Sequence, residues 1–515
     1  LWTFAISLPW RDDDQDISMK RNRLFAPLTA LLLVAATPAL AAALTTAPGF
    51  EKQIAAAAAL LDDNRVNEAL NTLDTMLAAA EAPIERGQIE ALRSFALARL
   101  NRIPDARKAI EAGVASNPDP SLLLLRQLFL LRAFDGDAAA AADTIQLIAA
   151  SNPKAVNDLP TEVITDVMAA IRKDENRSYE LDFALNAAGW QPDDVTLEDT
   201  DRLRLRLITA LAKRDRLDDA RPVFDAVLSP VVLARLGIDR RFAPLWPAVE
   251  KRLGPGADIA DAAAVAAAKA RFDAKPASLV ARLGYAEALN IASREAEAAA
   301  LLDVAKTPAE LAALTEREVW LVNLHAALLG DLGQIDAALA RYAAFNGVPI
   351  NGRSAVIATM LNAALFAESV DRPDAALAAV AIAEAGPAGS NDFAKLYLAQ
   401  VRSCTLQQQG KAAEALAAAA PLLAKPGEND DAYLATMVCL GRMDAAAKAI
   451  IARLDNPETR LEMLFELQPF LIADRPVVRG MRERSGLRAL KARPDVKAAF
   501  VKWGRDLPAA VAPPR

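Results

Sequence analysis

The feature that most constrains this chain is a three-part pattern that returns nine times. A small residue stands at each anchor: Ala69, Ala106, Ala141, Ala220, Ala298, Ala338, Ala376, Ala415 and Ala446. Five residues earlier stand Asn64, Asn101, Gly136, Asp215, Ser293, Gly333, Asp371, Gly410 and Gly441, all turn formers suited to the bend between two helices. Four residues later come Leu73, Ile110, Ile145, Phe224, Leu302, Tyr342, Val380, Ala419 and Ile450, one helical turn on and on the same face as the anchor. Ten to fourteen residues after each anchor a Pro follows: Pro83, Pro118, Pro153, Pro230, Pro308, Pro349, Pro387, Pro426 and Pro457. Proline ends the second helix of a pair and opens the next unit. A single methyl group at the anchor lets the two helices approach closely. The phrase Ala115-Ser-Asn-Pro118 returns as Ala150-Ser-Asn-Pro153, 35 residues on.

Composition points the same way. The 515 residues are 53% hydrophobic but only 5% aromatic, so the cores are built of Ala and Leu, which suits packed helices better than sheets. The pattern resembles the tetratricopeptide repeat family, whose period is ~34 residues with a small residue, an aromatic and a terminal Pro in these relative places. The clearest unit is Gly333-Gln-Ile-Asp-Ala-Ala-Leu-Ala-Arg-Tyr342, and the resemblance covers most of 51–457. The chain departs from the family in lacking most of the large first-helix aromatics. The resemblance implies an all-α, right-handed superhelical solenoid of antiparallel helix pairs. Its first helices would line a concave face that holds partner proteins.

This reading divides the chain at particular places. Residues 51–153 are N-terminal repeats. Residues 154–277 are degenerate helical repeats with one clear unit, and 278–457 are C-terminal repeats. Residues 458–515 form a basic helical cap and tail. The segment Asp239-Arg-Arg-Phe-Ala-Pro-Leu-Trp246 is expected to carry a packed aromatic pair. Residues 1–18 read as an over-extended start. From Met19 the layout is that of a secretory signal peptide: basic Lys20, Arg21 and Arg23, an apolar run over 24–36, then Ala39-Leu40-Ala41. Cleavage there predicts a periplasmic or secreted protein. No later segment is long and apolar enough to span a membrane.

Little in the sequence points to catalysis. The single histidine, His325, falls thirteen residues before Ala338, where the family buries side chains between paired helices. One His and two Cys cannot assemble a common soft-ligand metal cluster, so no metal or cofactor is expected. Ser151-Asn-Pro-Lys154 matches the Ser-x-x-Lys of serine acyl-enzymes. Its twin Ser116-Asn-Pro-Asp119 occupies the same inter-repeat turn without the Lys. Glu368-Ser369 matches two residues of the lytic transglycosylase signature, without the Gly-Leu-Met-Gln stretch that should follow. The net charge of −7 argues against a nucleic-acid binder, which should show a broad basic footprint. The expectation is a non-catalytic envelope scaffold for partner proteins, serving polysaccharide export or envelope assembly. The alternative is an envelope enzyme or polysaccharide-binding protein with an unrecognised site.

The family resemblance also names the first-helix positions that face the concave surface. Carried onto this chain they are Arg99, Arg126, Arg202 and Lys213, then Glu287, Asn290, Trp320, Asn323, Asp331, Glu368, Tyr397, Gln400, Gln407, Gln408 and Asp431. The face runs from basic to acidic and amide-rich, with Trp320 and Tyr397 as its expected anchors. Cys404 and Cys439 lie four positions apart in repeat phase on neighbouring first helices, which allows either a disulfide or two buried thiols. Residues 474–505 hold ten Lys/Arg against three Asp/Glu, which suits a polar terminal cap or contact with an anionic surface.

Overall fold

The nine anchors are buried without exception: each of the nine alanines has 0% of its surface exposed. All nine turn residues five positions earlier have positive φ, between 54° and 85°. Each turn closes with the same two bonds. At Gly333, for example, its N–H donates to the Gly330 carbonyl at 3.0 Å and the Gln334 N–H donates to the Leu329 carbonyl at 2.9 Å. This is the left-handed helix stop that Gly favours and Asn or Asp tolerates. The residues four positions after the anchors are buried as well. Small side chains thus set the spacing within each pair, and left-handed turns set the reversal.

The computed structural model describes residues 48–117, 119–349, 353–386, 391–473 and 479–513. The leader expected at 19–41, the stretch 1–18, Pro118 and Pro387 lie outside the described residues. Among the described residues the fold is all-α, with one isolated bridge between Asp239 and Gly504 and no strand. No helix there is long and apolar enough to cross a membrane.

The described chain divides into two compact units, 48–192 and 193–513. The break falls inside the stretch that reads as degenerate in sequence. The first unit stacks three helix pairs, Pro48–Asp62 with Val66–Ala79, Pro83–Arg99 with Ile103–Ala115, and Leu122–Phe134 with Ala138–Ser151, and then lays Thr161–Ala170 and Glu175–Ala187 each against Ala138–Ser151. The second pair is the tightest. A Cβ on Gly113 would sit 2.9 Å from the Gly87 carbonyl oxygen and 3.1 Å from the Ala91 nitrogen, so the two backbones nearly touch. These last two helices are joined through Ile171–Asp174 without a left-handed residue and pack on Ala138–Ser151 rather than as a pair, which is why the repeat pattern does not mark them.

The second unit carries the remaining repeats. Their first helices are Leu197–Lys213, Leu279–Ile291, Val319–Asp331, Ser354–Ser369, Asp392–Gln408 and Asp430–Cys439. After the last repeat come Arg460–Glu466, Met481–Lys491 and Pro494–Trp503. This C-terminal end docks on the unit's own beginning, around helices Pro230–Ile238 and Trp246–Leu253. The Arg505 N–H donates to the Ile238 carbonyl at 2.9 Å, and its guanidinium reaches the Gly237 carbonyl and Glu250, each at 2.7 Å. Arg505 also lies 3.8 Å from the Trp246 ring centre. Phe242 is fully buried and does not pair with Trp246, so the expected aromatic pair is replaced by a tail-docking site. Gly504 is required there, because a Cβ would lie 2.7 Å from the Ile238 carbonyl oxygen.

Candidate functional site

Side chains at the first-helix positions do share faces, but most are already engaged within the chain. In the first unit Arg99 donates to the Leu61 carbonyl and so caps the end of helix Pro48–Asp62. Arg126, on helix Leu122–Phe134, is half-buried and has no polar partner among the described residues. It is the freest of the sequence-named cations.

In the second unit a charge cluster closes over the first repeats. Thr196 and Asp199 form a capping box at the start of helix Leu197–Lys213, and Arg317 donates to the same Asp199 carboxylate. Burial works against the charge of Asp199, but Arg317 and Arg202 hold its carboxyl below the ordinary range. Arg202 reaches Glu198 at 3.5 Å and also feels Asp199, Glu287 and Glu462. Burial, with Asp199 and Glu198 adding repulsion, pushes Glu287 up to about 7. Lys213 pairs with Glu458 at 2.7 Å, and Arg235 holds Glu462 through both oxygens at 2.8 and 3.0 Å. Arg202 and Glu287 are therefore brought together, while Lys213 is tied to the C-terminal end.

The expected aromatic anchors are not available. Trp320 is 8% exposed and lies in a core cluster with Leu321 and Val322. Tyr397 is 5% exposed and packs edge-on against Phe393 at 5.3 Å. In a chain so poor in aromatics, a large side chain near the start of a first helix fills space between Ala-rich neighbours and is drawn into the core. Asn323 accepts a bond from the Asn362 amide at 2.8 Å, both residues buried. Several atoms nearby have no hydrogen-bond partner among the described residues: Asn290 Oδ1, Trp320 Nε1, Gln400 Oε1 and Gln408 Oε1.

The residues seven and eight positions before the anchors form a row along the ends of the first helices, and the C-terminal segment follows that row. Arg479 makes a two-pronged ion pair with Asp331, Nε to Oδ1 at 2.9 Å and Nη2 to Oδ2 at 3.0 Å. Only 7% and 5% of the two side chains are exposed. The Gly480 N–H donates to the Ser369 carbonyl at 3.1 Å, and Arg482 meets Asp371 at 2.8 Å. The Gln408 amide donates to Glu368 at 2.7 Å, joining the two predicted residues. The Gln407 side chain is half-buried and makes no hydrogen bond to a described residue. Asp431 pairs with Arg453 at 3.0 Å, and Arg453 also holds Glu466. Burial pushes Glu368 up to about 7. Burial, with Glu466 and Glu368 nearby, pushes Glu483 up to about 8.

Arg317, Asn362, Arg453, Arg479 and Glu483 belong to these clusters and carry no signal in the repeat frame. Arg479 and Glu483 lie beyond the last anchor, 148 residues from the Asp331 partner in the case of Arg479.

Cys404 and Cys439 are joined as a disulfide with a Cα separation of 5.5 Å. It links first helices Asp392–Gln408 and Asp430–Cys439. His325 is buried, and burial together with nearby Arg341 lowers it to about 4. The basic end is largely answered internally: Arg493 by Asp444 and Asp495, Lys491 by Asp506, Lys502 by Asp455, and Arg488 by the Ile472 carbonyl. Lys497 is exposed and has no such partner among the described residues. Among the described residues of that end, most of the basic side chains are thus paired within the chain. Among the described residues, no group of three or more His, Cys, Asp or Glu could hold a metal ion.

No family model matches the chain, and no curated protein matches it. Among solved structures it is similar to "Structure of Naa15/Naa10 bound to HypK-THB", at 15% identity, covering 94% of this chain and 79% of that one with a TM-score of 0.25. A likeness at that score carries no argument about partners. The helix-pair fold stands on the anchors and turns themselves.

Proposed function

We propose that this chain is an exported, non-catalytic scaffold of the cell envelope that holds partner proteins on its helix-pair repeats. Polysaccharide export or envelope assembly is the setting this reading favours. The observation that carries it is the repeated geometry: nine buried Ala anchors and nine left-handed turns build helix-pair repeats within each of the two units, and stacked repeats of this kind present helix faces to partners. The Cys404–Cys439 disulfide supports an oxidising compartment, as does the leader pattern from Met19. A polysaccharide groove is less favoured, because Trp320 and Tyr397 are too buried to stack on sugar rings.

The test is photocrosslinking in intact cells from Arg126 and Gln407, followed by mass spectrometry. Discrete protein adducts in the envelope fraction are expected. Glycan alone, or no adduct above background, would sink the scaffold reading.

A further inference from the structure

We infer that the ends of the first helices from Val319–Asp331 to Asp430–Cys439 form a receptor for an arginine-bearing helical segment of a partner protein, and that in the resting chain residues 479–491 occupy it. This rests on the partner-holding reading above and names the class of partner.

The seat is acidic and the occupant basic. Asp331 receives Arg479 and Asp371 receives Arg482, while the Ser369 carbonyl receives the Gly480 N–H. Asp331 and Ser369 hold the same place in successive repeats, seven residues before Ala338 and Ala376. Val438, eight before Ala446, continues the row. Gly486 sits on it: a Cβ there would lie 2.3 Å from Val438 Cγ1. A glycine in mid-helix weakens helix Met481–Lys491, and this close approach is its reason. The occupant therefore reads the row by an Arg, a bare backbone, a second Arg and a bare helix face.

The hold is also weak where a competitor would start. The Arg482–Asp371 pair is more than half exposed on both sides, and such pairs contribute little. Beneath it the Glu483 carboxyl is buried close to Glu368 and Glu466, with Arg484 on its own helix. Arg453 and Asp431 surround Glu466, and the Gln408 amide bonds Glu368. Seating Glu483 there requires that it keep its proton, a cost that opposes tight closure as pH rises. A partner segment with arginines at the same spacing and no glutamate would fit the row better than the resident one.

The probe is a fluorescein-labelled synthetic peptide of residues 479–491, with a scrambled peptide of the same composition as control. It is titrated into the full chain, wild type and two variants that loosen the resident segment. Arg482→Glu reverses an exposed charge, and Gly486→Leu places a side chain against Val438. Wild type is expected to bind weakly, Arg482→Glu at least threefold tighter and Gly486→Leu at least tenfold tighter. Adding Asp331→Asn should remove the gain. Circular dichroism identifies a variant that fails to fold, and Arg482→Glu, at the surface, carries the test if Gly486→Leu does. No gain in either folded variant, or equal binding of the scrambled peptide, would overturn the receptor. Peptide binding without any adduct in cells would overturn the partner reading and leave the receptor standing. Adducts without peptide binding would do the reverse.

Discussion

At the residue scale, two kinds of side chain set the structure: alanines that must stay small and turn residues that must go left-handed. Replacing Ala376, fully buried, by Leu should overpack its pair and cost ~1–3 kcal/mol in denaturant melts. Unchanged stability would mean the anchors do not set helix spacing. Asp215 has a φ of 54° and is exposed, so Asp215→Gly should stabilise by roughly 0.5–1 kcal/mol through relief of the left-handed strain. The mirror change Gly441→Ala, at a φ of 68°, should destabilise by about 1 kcal/mol. Titration offers a second test. Burial, with like-charged neighbours, holds Glu483 at about 8 and Glu287 at about 7, and burial holds Glu368 at about 7, all against an ordinary 4.5. In the fold these groups keep protons that the unfolded chain has already lost above its own value. The unfolded state binds fewer protons there, so stability falls as pH rises towards 8. His325, lowered to about 4 chiefly by burial, acts the other way, but only below 6.5. Melting temperature should therefore fall between pH 6.5 and pH 8, and Glu483→Gln should flatten part of that slope. A flat wild-type profile would contradict the buried carboxyl cluster.

At the element scale, the disulfide joins neighbouring first helices 35 residues apart in sequence. Removing both cysteines should cost about 2–4 kcal/mol, and intact mass after alkylation without reductant should show no modified thiol. Two alkylated cysteines in protein from the envelope would contradict the bond. The sequence makes the helix pairs legible because each needs a small anchor, a reversal residue and a stop, and all three leave marks at fixed spacing. Helices Thr161–Ala170 and Glu175–Ala187 are not legible, since they are joined without a left-handed residue and pack on Ala138–Ser151 rather than as a pair. The first-helix faces are legible as faces, but not as surfaces. Burial of Trp320 and Tyr397 depends on how little else fills the space around them. Occupation of Asp331 depends on Arg479, which belongs to no repeat. Long-range closure of this kind follows from three-dimensional packing, and local spacing holds no record of it.

At the scale of the whole molecule, the two units are described separately, and each offers a different kind of first-helix surface. In the unit of residues 48–192, Arg126 has no polar partner among the described residues. In the unit of residues 193–513 the matching row is filled by the chain's own end. The most direct measurement compares crosslinking in intact cells from Gln407 and from Arg126, each in wild type and in Arg482→Glu. Loosening the resident segment should raise the yield of protein adducts from Gln407 and leave those from Arg126 unchanged. Equal yields from Gln407 in both backgrounds, or no protein adduct from either position, would contradict a partner-holding face guarded by its own C-terminal segment.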